Sequence, residues 1–394
     1  MEKINRRAMS VPRENLVDEI EKANRAKMDT LEQRNRDFGA NRPHIGSYME
    51  NITLPGVFGF DMNDFYKDSR LAMDIELRTK LFWLDNSLDD SLASLYVGAG
   101  SMYYDMTLFG LHINYQTDGV PIFDRHALET DPDISQLKPF DFYSTGEMPI
   151  VHKRYGEMKR ISEELYGGKV GVGFPHFHRG PLDIMIQLRG YENFVCDCAE
   201  NPGYVHELMD YIIGERKRFN DLAADFRGEP APKTTFIADD WLHIPFISPD
   251  IFDKFIVPAY LKIQKNEGAV TGFHTCGVFV PLIKKILGTF DAIKALDVSG
   301  WNDIDELDRI VDKDIFFHVA FINSFVILSP PKDHEARLRA VREIVRKRGL
   351  AVNVQAIVKI LGSADDSIMA MNRFIELARR ILSDQPTAQV LRQL

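Results

Sequence analysis

Cysteine is scarce in this chain: Cys196, Cys198 and Cys276 are the only three in 394 residues. So sparse and odd a set excludes a disulfide framework and points to a reducing compartment, which makes cytoplasm the expected location. Long apolar runs are missing too. No stretch approaches the roughly 18 apolar residues of a membrane helix. The opening segment MEKINRRAMSVPRENLVDEIEKANRAKMD is charged rather than signal-like. Basic charge is in deficit, with 48 Lys and Arg against 58 Asp and Glu and a net charge of −10. No basic cluster interleaves with aromatics, which argues against nucleic acid and against an anionic membrane surface. There is no internal repeat and no low-complexity tract. The glycines of GVGFPHFHRG lack the spacing of a dinucleotide or P-loop fingerprint.

What is present is an ordinary soluble composition, 45% hydrophobic and 27% charged. It carries a regular rhythm. Short β-branched or aromatic runs alternate with longer helical patterns, which is the signature of βαβ units. Eight candidate strands stand out: 44–49, 92–98, 169–174, 234–238, 269–273, 292–298, 315–321 and 350–355. The spacing predicts a charged amphipathic helix over about 14–35, packed outside the main body. It also predicts a helix after the fourth strand, with Ser248 as N-cap and Pro249 at its first position. The expected class is α/β: a (β/α)8 TIM barrel over residues 41–394, preceded by an N-terminal helical extension over 1–40. The gap between strands two and three is too long for one crossover, so an insertion is expected over 99–168. The aromatic stretch GSMYYDMTLFGLHINYQ lies near its base.

In such a barrel the active site lies at the C-terminal ends of the strands. Those ends carry Glu50, then His176, His178 and Arg179, then Asp239, Asp240 and Trp241. They continue with His274, Thr275 and Cys276, then Asp297, Asn323 and Gln355. His274 and Cys276 are two apart in an extended run, so both side chains point the same way and can hold one ion. Zinc accepts that nitrogen and sulfur mixture, and a catalytic zinc keeps one position open. A polar strand end without metal has equal standing on spacing alone. A third ligand must come from another strand: Asp239 or Asp240 first, Glu50 second, Gln355 as a weak neutral donor. Of the adjacent Asp239 and Asp240, a buried one would have a raised pKa and suit acid–base work; a loop-capping role is the alternative. His176 and His178 could contact substrate, ligate metal or satisfy the loop backbone. Cys196 and Cys198 lie in a helical pattern where i and i+2 diverge, which suits core cysteines better than a shared metal.

Several segments carry a wider resemblance: GPLDIMIQLRGYENFVCDCAENPGYVHELMDYI, FIADDWLHIPFISPDIFDKFIVPAYLKI, GFHTCGVFVPLIKKI and HVAFINSFVILSPPKDHEARLRAVREIVRKRGLAVNVQAI. In order and spacing they resemble the uroporphyrinogen decarboxylase superfamily from about residue 40 to the C-terminus. That resemblance implies a (β/α)8 barrel. True decarboxylases of the superfamily carry an Arg-Gln-Ala-Gly-Arg segment after strand one, where this chain has GSYMENITLPGVFGF and no arginine. The other branch, zinc methyltransferases working with corrinoid proteins, carries His-x-Cys-Gly after strand five, matched by His274, Cys276 and Gly277. It has a further zinc cysteine after strand eight, where this chain has Gln355.

The resemblance therefore implies a methyltransferase passing a methyl group between a small methylated compound and the cobalt of a separate corrinoid protein. The loss of one thiolate makes the expected zinc a stronger Lewis acid, suited to an ether oxygen, so an aryl methyl ether and O-demethylation are the expected chemistry. Expected zinc ligands are His274, Cys276, Asp239 and Gln355. Asp239, Asp240, His178 and Glu50 are the expected catalytic and substrate-positioning groups. The chain has no Asp-x-His-x-x-Gly cobalamin motif, so the corrinoid must arrive on its partner. A homodimer stays open. The rival readings are a decarboxylase acting on a less acidic substrate through Asp239 or Asp240, and a non-catalytic barrel that binds a corrinoid or tetrapyrrole.

Overall fold

The computed structural model describes residues 4–38, 43–49, 53–101, 103–117, 121–299, 301–312, 314–321, 331–345, 350–356 and 363–382. Its parallel strands are β1 (His44–Met49), β2 (Tyr96–Gly98), β3 (Gly171–Gly173), β4 (Thr234–Ala238), β5 (Ala269–Thr275), β6 (Ala295–Ser299), β7 (Phe316–Phe321) and β8 (Leu350–Ala356). All eight coincide with the candidate runs. Several are shorter than expected: β2 and β3 keep only three residues each, and β6 and β7 start later than their runs. β5 is two residues longer and takes His274 and Thr275 into the strand. The ladders join six strands in the order β1-β8-β7-β6-β5-β4, with β2 paired to β3 apart. Every pair in these two ladders is parallel, as in an α/β fold.

One strand face packs outward on helices. Ile237, Val270, Phe273, Leu296, Val298, Phe317 and Val319 are buried there and dominate the main core. The alternate residues point inward, as strand geometry requires. Register then fixes which inward groups are neighbours: Ala238 lies opposite His274, His274 opposite Asp297, and Asp297 opposite His318.

The helix expected near the N-terminus runs over Leu16–Phe38. It is tied into the molecule rather than laid on it. Leu16, Val17 and Ile20 are buried in a second core shared with helix Ser69–Asn86, and Lys27 reaches the buried Asp89 at 2.5 Å. Between β2 and β3 lie a short antiparallel hairpin (Ile113–Asn114 with Ile122–Phe123) and helix Met148–Tyr166. The aromatic stretch at the base of this insertion is largely core: Tyr104, Met106, Leu108 and Phe109 are buried. Ser248 caps its helix as expected, accepting from Ile251 N at 3.2 Å, with Pro249 next to it. The cysteine expectation is half corrected. Cys198 is half-buried against the core, but Cys196 is exposed, because its helix Tyr191–Glu200 presents that face to solvent. Among the described residues no helix is long and apolar enough to cross a membrane.

Candidate metal centre

His274 and Cys276 meet Asp240 at the ends of β4 and β5. Cys276 Sγ is 3.1 Å from Asp240 Oδ1 and 3.5 Å from His274 Nε2, and His274 Nε2 is 3.4 Å from Asp240 Oδ1. This is the cluster of candidate metal ligands among the described residues. Metal–ligand bonds of about 2.0–2.3 Å at tetrahedral angles set donor atoms roughly 3.3–3.6 Å apart. Two of the three separations, 3.4 and 3.5 Å, fall within that spacing and the third, 3.1 Å, lies just below it; the nitrogen, sulfur and oxygen set is one that zinc accepts. Three protein donors leave one tetrahedral position for a substrate atom.

Each donor is held from behind. His274 Nδ1 donates to Asp297 Oδ2 at 2.9 Å, since a carboxylate only accepts. That bond fixes the tautomer and turns Nε2 toward the cluster, as outer carboxylates do at histidine metal ligands. Asp240 Oδ2 accepts from Arg179 Nη1 at 2.5 Å, and Arg179 Nη1 also reaches Asp183 at 3.2 Å. Arg179 lies 4.6 Å from the ring centre of Tyr103, a non-glycine residue at φ +65°. Such left-handed backbone costs on the order of 1 kcal/mol and persists only where surroundings enforce it. Arg216, buried and paired with Glu267 at 2.7 Å, donates to the carbonyl of Arg179. Asp105 accepts from the backbone N–H groups of His178 and Arg179.

The loop after β5 is equally fixed. The Gly277 carbonyl accepts from Asn302 Nδ2 at 3.0 Å, and Phe279 N donates to Asn302 Oδ1 at 2.9 Å. Thr275 Oγ1 donates to the Leu242 carbonyl at 2.9 Å. Gly277 must lack a side chain, because a Cβ there would strike the ring of His243. His243, Trp241 and Phe246 of the β4 loop form an aromatic cluster with Tyr191 at the start of helix Tyr191–Glu200. Tyr191 and Trp241 stack at 5.6 Å and 16°, and Trp241 meets Phe246 edge-on.

Charge follows from these contacts. Burial opposes the charge on His274, but hydrogen bonds to Asp240 and Asp297 push its imidazole up to about 12 when no metal competes. Burial likewise opposes ionisation of Asp240, yet His274 and Arg179 hold it well below the usual carboxylate range. Cys276 remains reachable from solvent, but the protein packed around it pushes its thiol up, against the pull of His274.

Asp239 stands apart from this cluster. Successive residues of an extended chain face opposite ways, so with Ala238 inward Asp239 turns outward, and Asp240 returns to the site. Its fully buried carboxylate accepts from Asp183 N at 2.8 Å, Leu182 N at 3.4 Å and Tyr260 Oη at 2.8 Å. It thus receives the free N–H groups at the start of helix Pro181–Arg189. Gly180 makes the approach feasible, since a Cβ there would overlap the carboxylate. Burial, then Asp183, pushes the Asp239 carboxyl well above its ordinary value. His178 and His176 line a cavity of about 510 Å³ together with Tyr96, Tyr103, Asp105 and Arg179. Burial lowers the pKa of both histidines. A larger cavity of about 730 Å³ lies away from this chemistry, between residues 85–88 and helix Ala364–Leu382. Glu50, Asn51 and Asn323 lie outside the described residues. So does the side chain of Gln355, whose backbone pairs with Tyr48 in β8. Asp183, Asp105, Tyr260 and Asn302 are supporting residues that no sequence motif marks.

No curated protein matches the chain. Among solved structures, a methyltransferase from Methanosarcina mazei superposes with a TM-score of 0.60 at 15% identity, covering 86% of this chain and 93% of that one. At that identity the likeness speaks for the fold. The family model for uroporphyrinogen decarboxylase (URO-D) matches residues 101–353, more than half of the chain and the whole span from β3 to β7 with the Asp240–His274–Cys276 cluster. On that match, the chain belongs to the uroporphyrinogen decarboxylase family.

Proposed function

We propose that this protein is a methyltransferase built on a (β/α)8 barrel. In this reading it moves a methyl group between a small methylated compound, an aryl methyl ether, and the cobalt of a corrinoid carried by a separate protein. The observation that carries it is the convergence of His274 Nε2, Cys276 Sγ and Asp240 Oδ1 at zinc spacing, with Asp297 behind the histidine. The similar Methanosarcina mazei structure is a methyltransferase by name, which supports the same class. Decarboxylation of a polyanionic substrate fits poorly, because GSYMENITLPGVFGF offers no arginine after β1.

His274, Cys276 and Asp240 would hold a zinc ion, which would supply Lewis acidity toward an ether oxygen. The chain's own groups do the rest. Asp297 keeps His274 in the ligating tautomer. Arg179 keeps one oxygen of Asp240 occupied so that the other faces the cluster. His178, kept neutral by burial, hydrogen-bonds the departing oxygen. In net terms the methyl group passes from oxygen to cobalt(I). The carbon–oxygen bond breaks with its electron pair left on oxygen, which takes up a proton from solvent, and the partner's cobalt(I) supplies both electrons of the new carbon–cobalt bond.

The test uses protein purified without chelator. Zinc is counted, and the protein is mixed with a corrinoid protein reduced to cobalt(I) and a panel of methylated compounds while methyl–cobalt absorbance is followed. The expected result is about one zinc per chain, lost in His274→Ala, and zinc-dependent methyl transfer. Zinc-free protein, or no transfer from any donor, would overturn the reading.

A further inference from the structure

The inner wall below the candidate centre is unusually bare. Barrel interiors are ordinarily filled by bulky branched side chains. Here the inward positions of β2 to β6 include Gly98, Gly171, Gly173, Ala238, Gly272 and Ala295. Among them stand two aromatic residues, Tyr96 on β2 and Phe236 on β4. The neighbouring positions fix their direction. Val97 is buried in the second core and Ile237 in the main one, while Thr235 bonds to Glu267 of the outer helix Val257–Glu267. Tyr96 and Phe236 therefore face the other way, and they are 52% and 44% exposed, which an ordinary barrel interior would not permit.

Both rings lie along the wall instead of filling the space. Phe236 covers Gly272, its register partner on β5: a Cβ there would come within 2.7 Å of the ring. Tyr96 covers Gly171 and Gly173 of its partner strand in the same way, with a Cβ at Gly171 only 3.0 Å from its ring. The glycines let the rings lie down, and a ring lying down turns a face to the open side. Gly272 is two residues before His274, so the Phe236 ring sits about 7 Å along the wall from the level of the histidine. Tyr96 borders the 510 Å³ cavity that ends at Arg179, the partner of Asp240.

We propose that this wall is a subsite for a planar aromatic ring, stacked on Phe236 and bordered by Tyr96, that holds a substrate's methylated oxygen at the Asp240–His274–Cys276 cluster. The proposal rests on the methyltransferase reading and assigns the residue that would select its aromatic substrate: Phe236 is the specificity-determining residue. The preference is for π-faces rather than for apolar bulk, because offset stacking adds to area burial.

Binding is measured calorimetrically on the zinc-loaded protein without a corrinoid partner, using 2-methoxyphenol and its saturated analogue 2-methoxycyclohexanol. The aromatic compound should bind about tenfold more tightly than the saturated one. Phe236→Leu, which keeps bulk and removes the ring, should erase most of that difference. Phe236→Tyr should retain it, and zinc content should be unchanged in both. Equal affinities for the two probes, or an unaltered preference in Phe236→Leu, would overturn the proposal. The two readings fail separately. Aromatic binding without methyl transfer keeps the subsite and removes the methyltransferase. Transfer from methanol or a methylamine by a protein indifferent to aromatic rings does the reverse.

Discussion

Replacing Asp297 by asparagine tests the metal centre without touching a ligand. Asp297 Oδ2 accepts the Nδ1 proton of His274 at 2.9 Å, and the two side chains are 33% and 28% exposed. Loss of such an outer carboxylate lowers metal affinity by about 10- to 100-fold, equivalent to about 1.4–2.7 kcal/mol. Partial exposure weakens the charge contribution through solvent screening. The asparagine carbonyl can still accept the same proton if the amide turns correctly. Both points place the expected loss near the lower end, about tenfold. Asp297→Ala, which removes the acceptor altogether, should lose more. The assay is competition for zinc against a chromophoric chelator at fixed pH, with thermal unfolding as a control for the fold. A variant that folds normally and binds zinc within about twofold of the parent would refute the reasoning, because the carboxylate behind His274 would then add nothing to metal affinity.

Gly180→Ala should destabilise the protein by about 1–3 kcal/mol in urea unfolding, since the added methyl group drives into the buried Asp239 carboxylate. Lys27→Met should cost about 3 kcal/mol or more, because it leaves the buried Asp89 without its cation. A loss below 1 kcal/mol would mean that the N-terminal helix is an accessory, not part of the fold. Burial, then the charge of Asp240, pushes Asp183 up to about 6. An acid whose folded pKa is raised binds its proton more tightly when folded, so this group's contribution to stability falls as pH rises from about 4 through 6. Asp183→Asn should flatten that part of the stability–pH curve, and an unchanged slope would show that Asp183 is not the group responsible.

The strands were legible because each is a short β-type run between helical patterns, and inward and outward residues alternate in the chain itself. The meeting of His274 and Cys276 was legible for the same reason, since they are two apart at the end of one strand. The third member of the cluster was not. Asp239 and Asp240 are adjacent and chemically alike, and the choice between them depends on where β4 ends: Ala238, opposite His274, sets the parity. Asp297 was visible as a strand-end carboxylate, but its bond to His274 exists only through the register of β5 with β6. Arg179 belonged to the rim, yet its grip on Asp240 spans 61 residues of sequence. The aromatic stretch 101–116 was read by composition. Its rings mostly serve the core, while the two open rings, Tyr96 and Phe236, sit in unremarkable strands beside glycines.

The stacking of Trp241 on Tyr191 has a practical consequence. The chain contains three tryptophans, and Trp241 directly follows Asp240, its indole lying against Tyr191 while its backbone N–H is held by Asp183 at 3.1 Å. Trp83 is tied to Ser47 beside β1, and Trp301 stands on the exposed rim. A Trp83→Phe, Trp301→Phe double variant would leave a single emitter one residue from a candidate ligand. Its fluorescence would then report occupancy of the centre in real time, with no label, chromophoric chelator or partner protein.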